Sequence, residues 1–194
     1  MSQLDKFYWE NRWLEKQTQW DTGEVVPPIK NYIDSLSDHN LKILIPGAGN
    51  GYEAQYLHQQ GFRNTYILDI AKEPLKVFLS NNPEFPKKQI VCDDFFKLNE
   101  SFDLILEYTF FCALHPDLRK AYADKVFQLL NPKGTLAGCL FNFPLTEKGP
   151  PFGGSKEEYI SYFREKFHIE RIEEETESIA PRLGKELFIE LKKK

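Results

Sequence analysis

Residues 41–62, LKILIPGAGNGYEAQYLHQQGF, run from a short apolar stretch through Gly47, Gly49 and Gly51 into an amphipathic one. Lys42 to Pro46 reads as a buried strand and Tyr52 to Gln60 as a helix closed by Gly61, so the glycines form a strand-to-helix turn. Turns of this kind hold nucleotides, and the ligand decides between redox chemistry, group transfer and binding alone. In dinucleotide sites a third glycine follows three places after the second, where helix and strand close around a pyrophosphate. Tyr52 stands at that place here, which argues against a dinucleotide.

The same alternation extends in both directions. A helix is predicted over Ile29 to Leu36, a strand over Thr65 to Ile70, a helix over Glu73 to Ser80, and strands over Gln89 to Cys92 and Phe102 to Tyr108. Pro116 suits a first helical position, and Leu118, Tyr122, Val126 and Leu129 follow at helical spacing until "NPKG" ends the helix. A long strand, Thr135 to Phe143, leads through the loop "FPLTEKGPPFGGS" to a helix over Lys156 to Lys166. Phe167 to Glu174 and Glu186 to Lys192 read as strands with no helix between them. Repeated β-α units imply a parallel sheet with right-handed crossovers, and the final pair implies an antiparallel hairpin at one edge.

The chain has 194 residues, 41% hydrophobic and 28% charged, with a formal net charge of -4, a balance suited to one globular domain. Nucleic-acid binding usually shows as a basic surplus, which is missing here. Asp5, Lys6, Glu10 and Arg12 interrupt the N-terminus before any signal-like apolar run, so a cytoplasmic protein is expected. No apolar run approaches the ~20 residues of a membrane helix. Cys92, Cys112 and Cys139 are widely spaced and fit neither a disulfide framework nor a zinc site, and no metal is expected. With no exposed apolar zipper in the sequence, a monomer is expected.

Asp69 lies about 20 residues beyond the glycine turn at a strand end, where a carboxylate can accept both hydroxyls of a ribose. Its competing role is a helix cap for the stretch near Ala71. At the next strand end Asp94 can take an adenine amino group and Phe95 can cover the ring, although either Asp93 or Asp94 could be a solvated loop residue. Three consecutive strand ends would then address one adenosine.

The segments "FYWENRWLEKQTQWDTG", "LIPGAGNGYE", "CDDF", "EYTFFCALHPDLRKAYADKVFQLLNPKG" and "KGPPF" together resemble the thiopurine S-methyltransferase superfamily of class I S-adenosylmethionine-dependent methyltransferases, and its halide/thiol methyltransferase branch in particular. The resemblance runs from about Trp9 to Lys185. It implies an α/β, Rossmann-like, seven-stranded sheet, mostly parallel with an antiparallel C-terminal hairpin strand and helices on both faces. It also implies a lid segment, residues 1–28, on a core of residues 29–194. Trp9, Trp13 and Trp20 would belong to that lid, their indole faces meeting the adenosyl group or the sulfonium charge; three tryptophans packing a helix onto the sheet is the alternative. Ile70, Glu107 and Tyr108 join the glycines, Asp69, Asp94 and Phe95 as expected cofactor contacts. Many class I enzymes place an acid two residues before the first glycine to hold the methionine ammonium. Ile45 occupies that place, leaving backbone carbonyls around Gly47, with Glu53 either a helper or an acid serving the helix dipole.

Methyl transfer from a sulfonium is an in-line displacement, and the protein must align the partners in a dry, closed site. Phe110, Phe111 and Phe152 are expected around the methyl position, each equally placed to be core. Tyr108 and Thr109 are the candidates for orienting a nucleophile. His115 reads as part of the helix start rather than a base, and apolar neighbours would raise the Cys112 pKa and leave it inert. The sequence "EYTF" stands where methyltransferases acting on nucleic-acid bases carry Asn/Asp-Pro-Pro-aromatic, again disfavouring nucleic acid. A small-molecule acceptor is expected: a thiol, hydrosulfide, thiocyanate, halide or thiopurine. The rivals are a nicotinamide-linked oxidoreductase and a non-catalytic S-adenosylmethionine-binding protein.

Overall fold

The computed structural model describes residues 4–194; the first three residues of the expected lid lie outside them. Seven strands, β1 (Ile43–Pro46), β2 (Thr65–Asp69), β3 (Ile90–Cys92), β4 (Phe102–Tyr108), β5 (Leu130–Phe141), β6 (Phe167–Glu174) and β7 (Glu186–Lys193), form one sheet. Their order is β3-β2-β1-β4-β5-β7-β6. The first five run parallel, and β7 inserts antiparallel between β5 and β6. This is the expected sheet, including its edge hairpin.

Six helices connect and cover it: α1 (Lys6–Leu14), α2 (Pro27–Ser35), α3 (Tyr52–Gln59), α4 (Lys72–Asn81), α5 (Arg119–Leu129) and α6 (Lys156–Phe163). Strand order decides which face each takes. From β1 the chain steps outward to β2 and β3, then returns past β1 to β4 and steps the other way. Right-handed crossovers in opposite directions put their helices on opposite faces. Accordingly Ile29 and Ile33 of α2, Leu57 of α3 and Phe78 of α4 pack one core with Ile43, Ile45 and Ile67. Tyr122, Val126 and Leu129 of α5 and Phe163 of α6 pack the other with Leu44, Ile105 and Leu136. Each such side chain contributes roughly 1.5–3 kcal/mol by leaving water. All four β1 residues are buried because both faces of that strand are covered.

Several boundaries differ from expectation: α6 ends at Phe163 rather than Lys166, β5 ends at Phe141 rather than Phe143, and two differences change the reading of a motif. "NPKG" lies inside β5: Leu130 pairs with Phe102, the next four residues bulge out with Lys133 at φ +64°, and pairing resumes at Thr135 with Leu104. The turn chemistry is present, but the ladder on either side of it continues. Pro116 opens a 3₁₀ turn, Pro116–Leu118, before α5 begins at Arg119.

The two parallel halves meet at β1 and β4, and the crevice beyond their carboxyl ends is where a sheet of this kind takes its ligand. β4 and β5 approach there through Gly138, which lies opposite Glu107. A Cβ at Gly138 would overlap the Glu107 carbonyl oxygen, and its φ of +150° disfavours any other residue. Gly138→Ala is therefore expected to destabilise the protein by about 3 kcal/mol, read as a lower urea midpoint at unchanged slope.

Candidate active site

The cavity beyond β1 and β4 has a volume of about 960 Å³, at the upper end of the range for small-molecule and cofactor sites. Its floor is the glycine turn. Gly47 and Gly49 both have left-handed backbones, at φ +62° and +51°. A Cβ on Gly47 would come within 2.5 Å of the Phe110 ring, and one on Gly49 within 3.1 Å of the Trp13 indole, so bare backbone is needed at both places. Gly51 is the N-cap of α3, at φ +68°, and a Cβ there would meet Phe78 at 2.5 Å. Gly51 does not line the cavity; the expected cofactor contact is corrected to a role in closing the helix onto its neighbour.

Asp69 ends β2, 7% exposed, and joins two turns. Its Oδ2 accepts the Gly49 N–H at 2.9 Å and its Oδ1 the Ala71 N–H at 2.8 Å. Burial pushes its pKa up to about 6 against the pull of those donors. Ala71 itself is the N-cap of α4 and makes no side-chain cap bond, so Asp69 acts just before the helix, and the residue lines the cavity. Ile70 lines the same wall. Past β3, Asp94 accepts the Phe96 N–H at 2.9 Å and caps a 3₁₀ turn, Phe95–Lys97, while still facing the cavity. The Phe95 ring, also on the cavity wall, is braced by Phe110 and Tyr122 at centroid distances of 5.1 and 5.5 Å.

At the end of β4 the fully buried Glu107 builds the turn that follows. Its Oε1 accepts the N–H groups of Phe110 at 2.9 Å and Phe111 at 2.8 Å, and its Oε2 accepts the Tyr122 hydroxyl at 2.6 Å. Desolvation raises its pKa to about 7 against three donors. Glu107 does not line the cavity, which corrects the expected cofactor contact: its carboxylate is turned into the protein and spent on the loop. That loop forces Thr109, a β-branched residue, to φ +65°, a strained conformation of the kind concentrated at functional sites.

Phe110 lines the cavity as expected, but Phe111 and Phe152 do not. Successive side chains diverge on a tight turn, so Phe111 packs in the core against Tyr122 and Tyr159. Phe152 lies behind Pro150 and Pro151, which hold the wall instead; its N–H donates to the Cys112 carbonyl at 2.8 Å. The buried Cys112 thiol is pushed up to about 12 by desolvation, as an inert cysteine should be. His115 accepts the Asp117 N–H at 3.4 Å, at the start of the 3₁₀ turn where the sequence put it.

The opposite wall is the N-terminal segment. Trp9, Trp13 and Trp20 meet edge to face, Trp20 lying 5.5 Å from Trp9 and 5.8 Å from Trp13, and all three line the cavity. Glu10 accepts the Lys72 N–H at 2.6 Å and Arg182 donates to the Trp20 carbonyl at 3.1 Å, both fastening the segment to the core.

Arg182, Asp21 and Asn50 escaped the sequence reading, although all three line the cavity. Arg182 lies between β6 and β7, where no periodicity or motif marks it; its guanidinium covers the Tyr108 ring at 4.8 Å. The Tyr108 hydroxyl reaches no hydrogen-bond partner, and burial raises its pKa, keeping it a donor at neutral pH. Asn50 donates to Asp21 at 2.7 Å. Arg119 was missed too. Fully buried, it donates to Glu158 at 2.8 Å and to the Gly153 carbonyl at 2.6 Å, holding the "GPPF" loop against α5 and α6. Among the described residues no group of three or more His, Cys, Asp or Glu could hold a metal, and no helix is long and apolar enough to cross a membrane.

A sheet in this order, with its last-formed strand inserted antiparallel and a nucleoside-sized cleft at the switch point, has the architecture of the S-adenosylmethionine-dependent methyltransferases. Comparison with known proteins agrees. The thiopurine S-methyltransferase family matches residues 4–190, and the chain belongs to that family. It is 33% identical to thiocyanate methyltransferase 1 of Brassica oleracea over 184 residues, covering 92% of this chain and 81% of the relative. It is equally 33% identical to probable thiol methyltransferase 2 of Arabidopsis thaliana over 164 residues, 82% of this chain and 72% of that one. Among solved structures, the fold is similar to that of a Burkholderia thailandensis 1,6-didemethyltoxoflavin N1-methyltransferase, with a TM-score of 0.78 at 18% identity over 97% of this chain and 86% of that chain.

The Tyr122 hydroxyl is one of the three donors that let a buried carboxylate hold the turn after β4. Tyr122→Phe should cost about 1.5–3 kcal/mol in urea unfolding, with a smaller loss at acid pH, where Glu107 is protonated and needs the donor less.

Proposed function

We propose that the protein transfers a methyl group from S-adenosylmethionine to a small soft nucleophile: a thiol, hydrosulfide, thiocyanate, halide or thiopurine. The observation that carries this reading is the unpartnered Tyr108 hydroxyl beside the strained Thr109, in a cavity walled by Phe110, Pro150, Pro151 and three indoles. An unpartnered donor, with apolar surroundings and no committed base, suits an acceptor that is already nucleophilic. His115 is taken up by its turn and Cys112 is protonated, so neither supplies a base. The family relatives named for thiocyanate and thiol substrates support the same acceptor class.

The residues fit the cofactor. Gly47 and Gly49 leave backbone bare where a nucleoside must come close, Asp69 on the cavity wall offers a carboxylate for ribose hydroxyls, and Asp94 with Phe95 and Ile70 forms the place for adenine. When bound, S-adenosylmethionine supplies an electrophilic methyl on a positively charged sulfur. Tyr108 orients the incoming nucleophile, Phe110 and the prolines exclude water from it, and Trp9, Trp13 and Trp20 close the opposite side as a lid. Attack by an anion cancels charge, so an apolar enclosure costs this reaction little. We further propose that the enzyme works as a cytoplasmic monomer.

The acceptor is found by incubating the protein with S-adenosylmethionine and iodide, thiocyanate, hydrosulfide, thiophenol or mercaptopurine, and following methylated product by headspace and liquid chromatography. Turnover of none of them would overturn the proposal. Asp69→Ala should weaken S-adenosylhomocysteine binding tenfold to a hundredfold, the equivalent of roughly 1.5–3 kcal/mol of charge-assisted bonds, measured by calorimetry on protein whose circular dichroism is unchanged. Unaltered affinity would sink the ribose assignment.

A further inference from the structure

Arg119 is a fully buried cation that opens α5 and does not itself line the cavity. Glu158 of α6 accepts its Nη1 donor at 2.8 Å and the Tyr162 hydroxyl at 3.1 Å, while the Arg119 Nε meets no acceptor. A buried pair of this kind adds little stability over apolar side chains of the same volume, so packing alone gives no reason for it. What the guanidinium holds is backbone: the Gly153 carbonyl at 2.6 Å and the Phe152 carbonyl at 3.4 Å, with the Phe111 ring 4.8 Å away. The two residues before that grip are Pro150 and Pro151, which line the cavity. Prolines carry no N–H, so this stretch of wall cannot be tied through its own amides and depends on the carbonyls that follow it.

The facing stretch of wall is the connection from β4 to α5, which contributes Ala113, Leu114 and Leu118 and runs directly into Arg119. Two more contacts join it to the proline loop: the Phe152 N–H donates to the Cys112 carbonyl at 2.8 Å, and the His115 and Phe152 rings meet edge to face at 5.8 Å. From this arrangement we infer that Arg119 is a positioning residue for the methyl acceptor: acting through Pro150 and Pro151, it sets the gap between these two segments and so the grip on the apolar body of an acceptor. The inference rests on the methyltransferase reading and deepens it. A planar fork of donors can meet a carboxylate on α6 and two carbonyls of the loop at once, which the single ammonium of a lysine cannot. The clamp makes no contact with Asp69, Asp94 or the glycine turn. The place for adenosine is therefore built independently of it.

The test titrates thiophenol, by calorimetry, into protein saturated with S-adenosylhomocysteine, which reads acceptor binding without turnover. Arg119→Lys keeps the charge and loses the fork. The double variant Arg119→Met with Glu158→Gln removes the pair without stranding a buried charge, and it should unfold cooperatively with unchanged circular dichroism. In both, thiophenol affinity should fall on the order of tenfold while S-adenosylhomocysteine affinity stays within about twofold of wild type. A merely structural pair would weaken the two ligands together, and that result, or unaltered thiophenol binding, overturns the inference. Loss of the fold in both variants overturns it as well. Wild-type protein that takes S-adenosylhomocysteine but not thiophenol overturns the inference and leaves the cofactor reading standing. Wild-type protein that takes no S-adenosylhomocysteine overturns the methyltransferase reading, and the inference with it.

Discussion

The Asp69 carboxylate takes one N–H from the turn after β1 and another from the turn after β2. Each bond is modest alone, but together they fix two adjacent strand ends, those of β1 and β2, relative to each other beside the crevice where the two parallel halves of the sheet meet. The glycine turn can then hold its left-handed backbone without a side chain to brace it. Two parts of the cavity wall rest on it: Phe110 lies on Gly47 and the Trp13 indole on Gly49.

Buried carboxylates recur around the cavity, each with a different share of partners. Glu107 is fully supplied, with two backbone donors and a hydroxyl, and shapes the turn that strains Thr109. Asp69 is supplied by backbone donors alone and lines the cavity. Glu53 receives no donor from another side chain. The pKa of each is raised, to about 7, 6 and 7 respectively, and desolvation is the first cause in all three. Protonation at acid pH relieves that penalty, so the protein spends stability at neutral pH to keep these charges, Glu107 to hold its turn and Asp69 and Glu53 on the cavity wall.

Two arginines fasten what the sheet does not hold. Arg119 ties the proline-rich loop to α5 and α6, and Arg182 ties the N-terminal segment to the connection between β6 and β7. Both guanidiniums lie over aromatic rings, Phe111 and Tyr108, each 4.8 Å from the centroid, so a planar cation packs where an ammonium would be left hydrated and unpaired. The walls of the cavity thus come from segments far apart in the chain and held by single side chains.

Local pattern settled what depends on near neighbours. Apolar runs of strand length, a glycine turn and helices at 3.6 spacing required the parallel sheet, and the missing helix before Glu186 required the antiparallel hairpin, because backbone hydrogen bonds leave few other ways to bury those faces. Strand ends also marked Asp69, Asp94, Phe95 and Tyr108, since ligands meet a parallel sheet at its carboxyl edge. Tertiary structure alone decided which way side chains turn once the strands stop. Phe110 faces the cavity and Phe111 the core, Gly51 serves Phe78, and Glu107 turns inward. The same holds for Asp21 and Arg182, which share one cavity although 161 positions separate them in the chain. No local periodicity encodes a meeting of that kind, because packing between distant segments, rather than the conformation of either one, brings the two charges together.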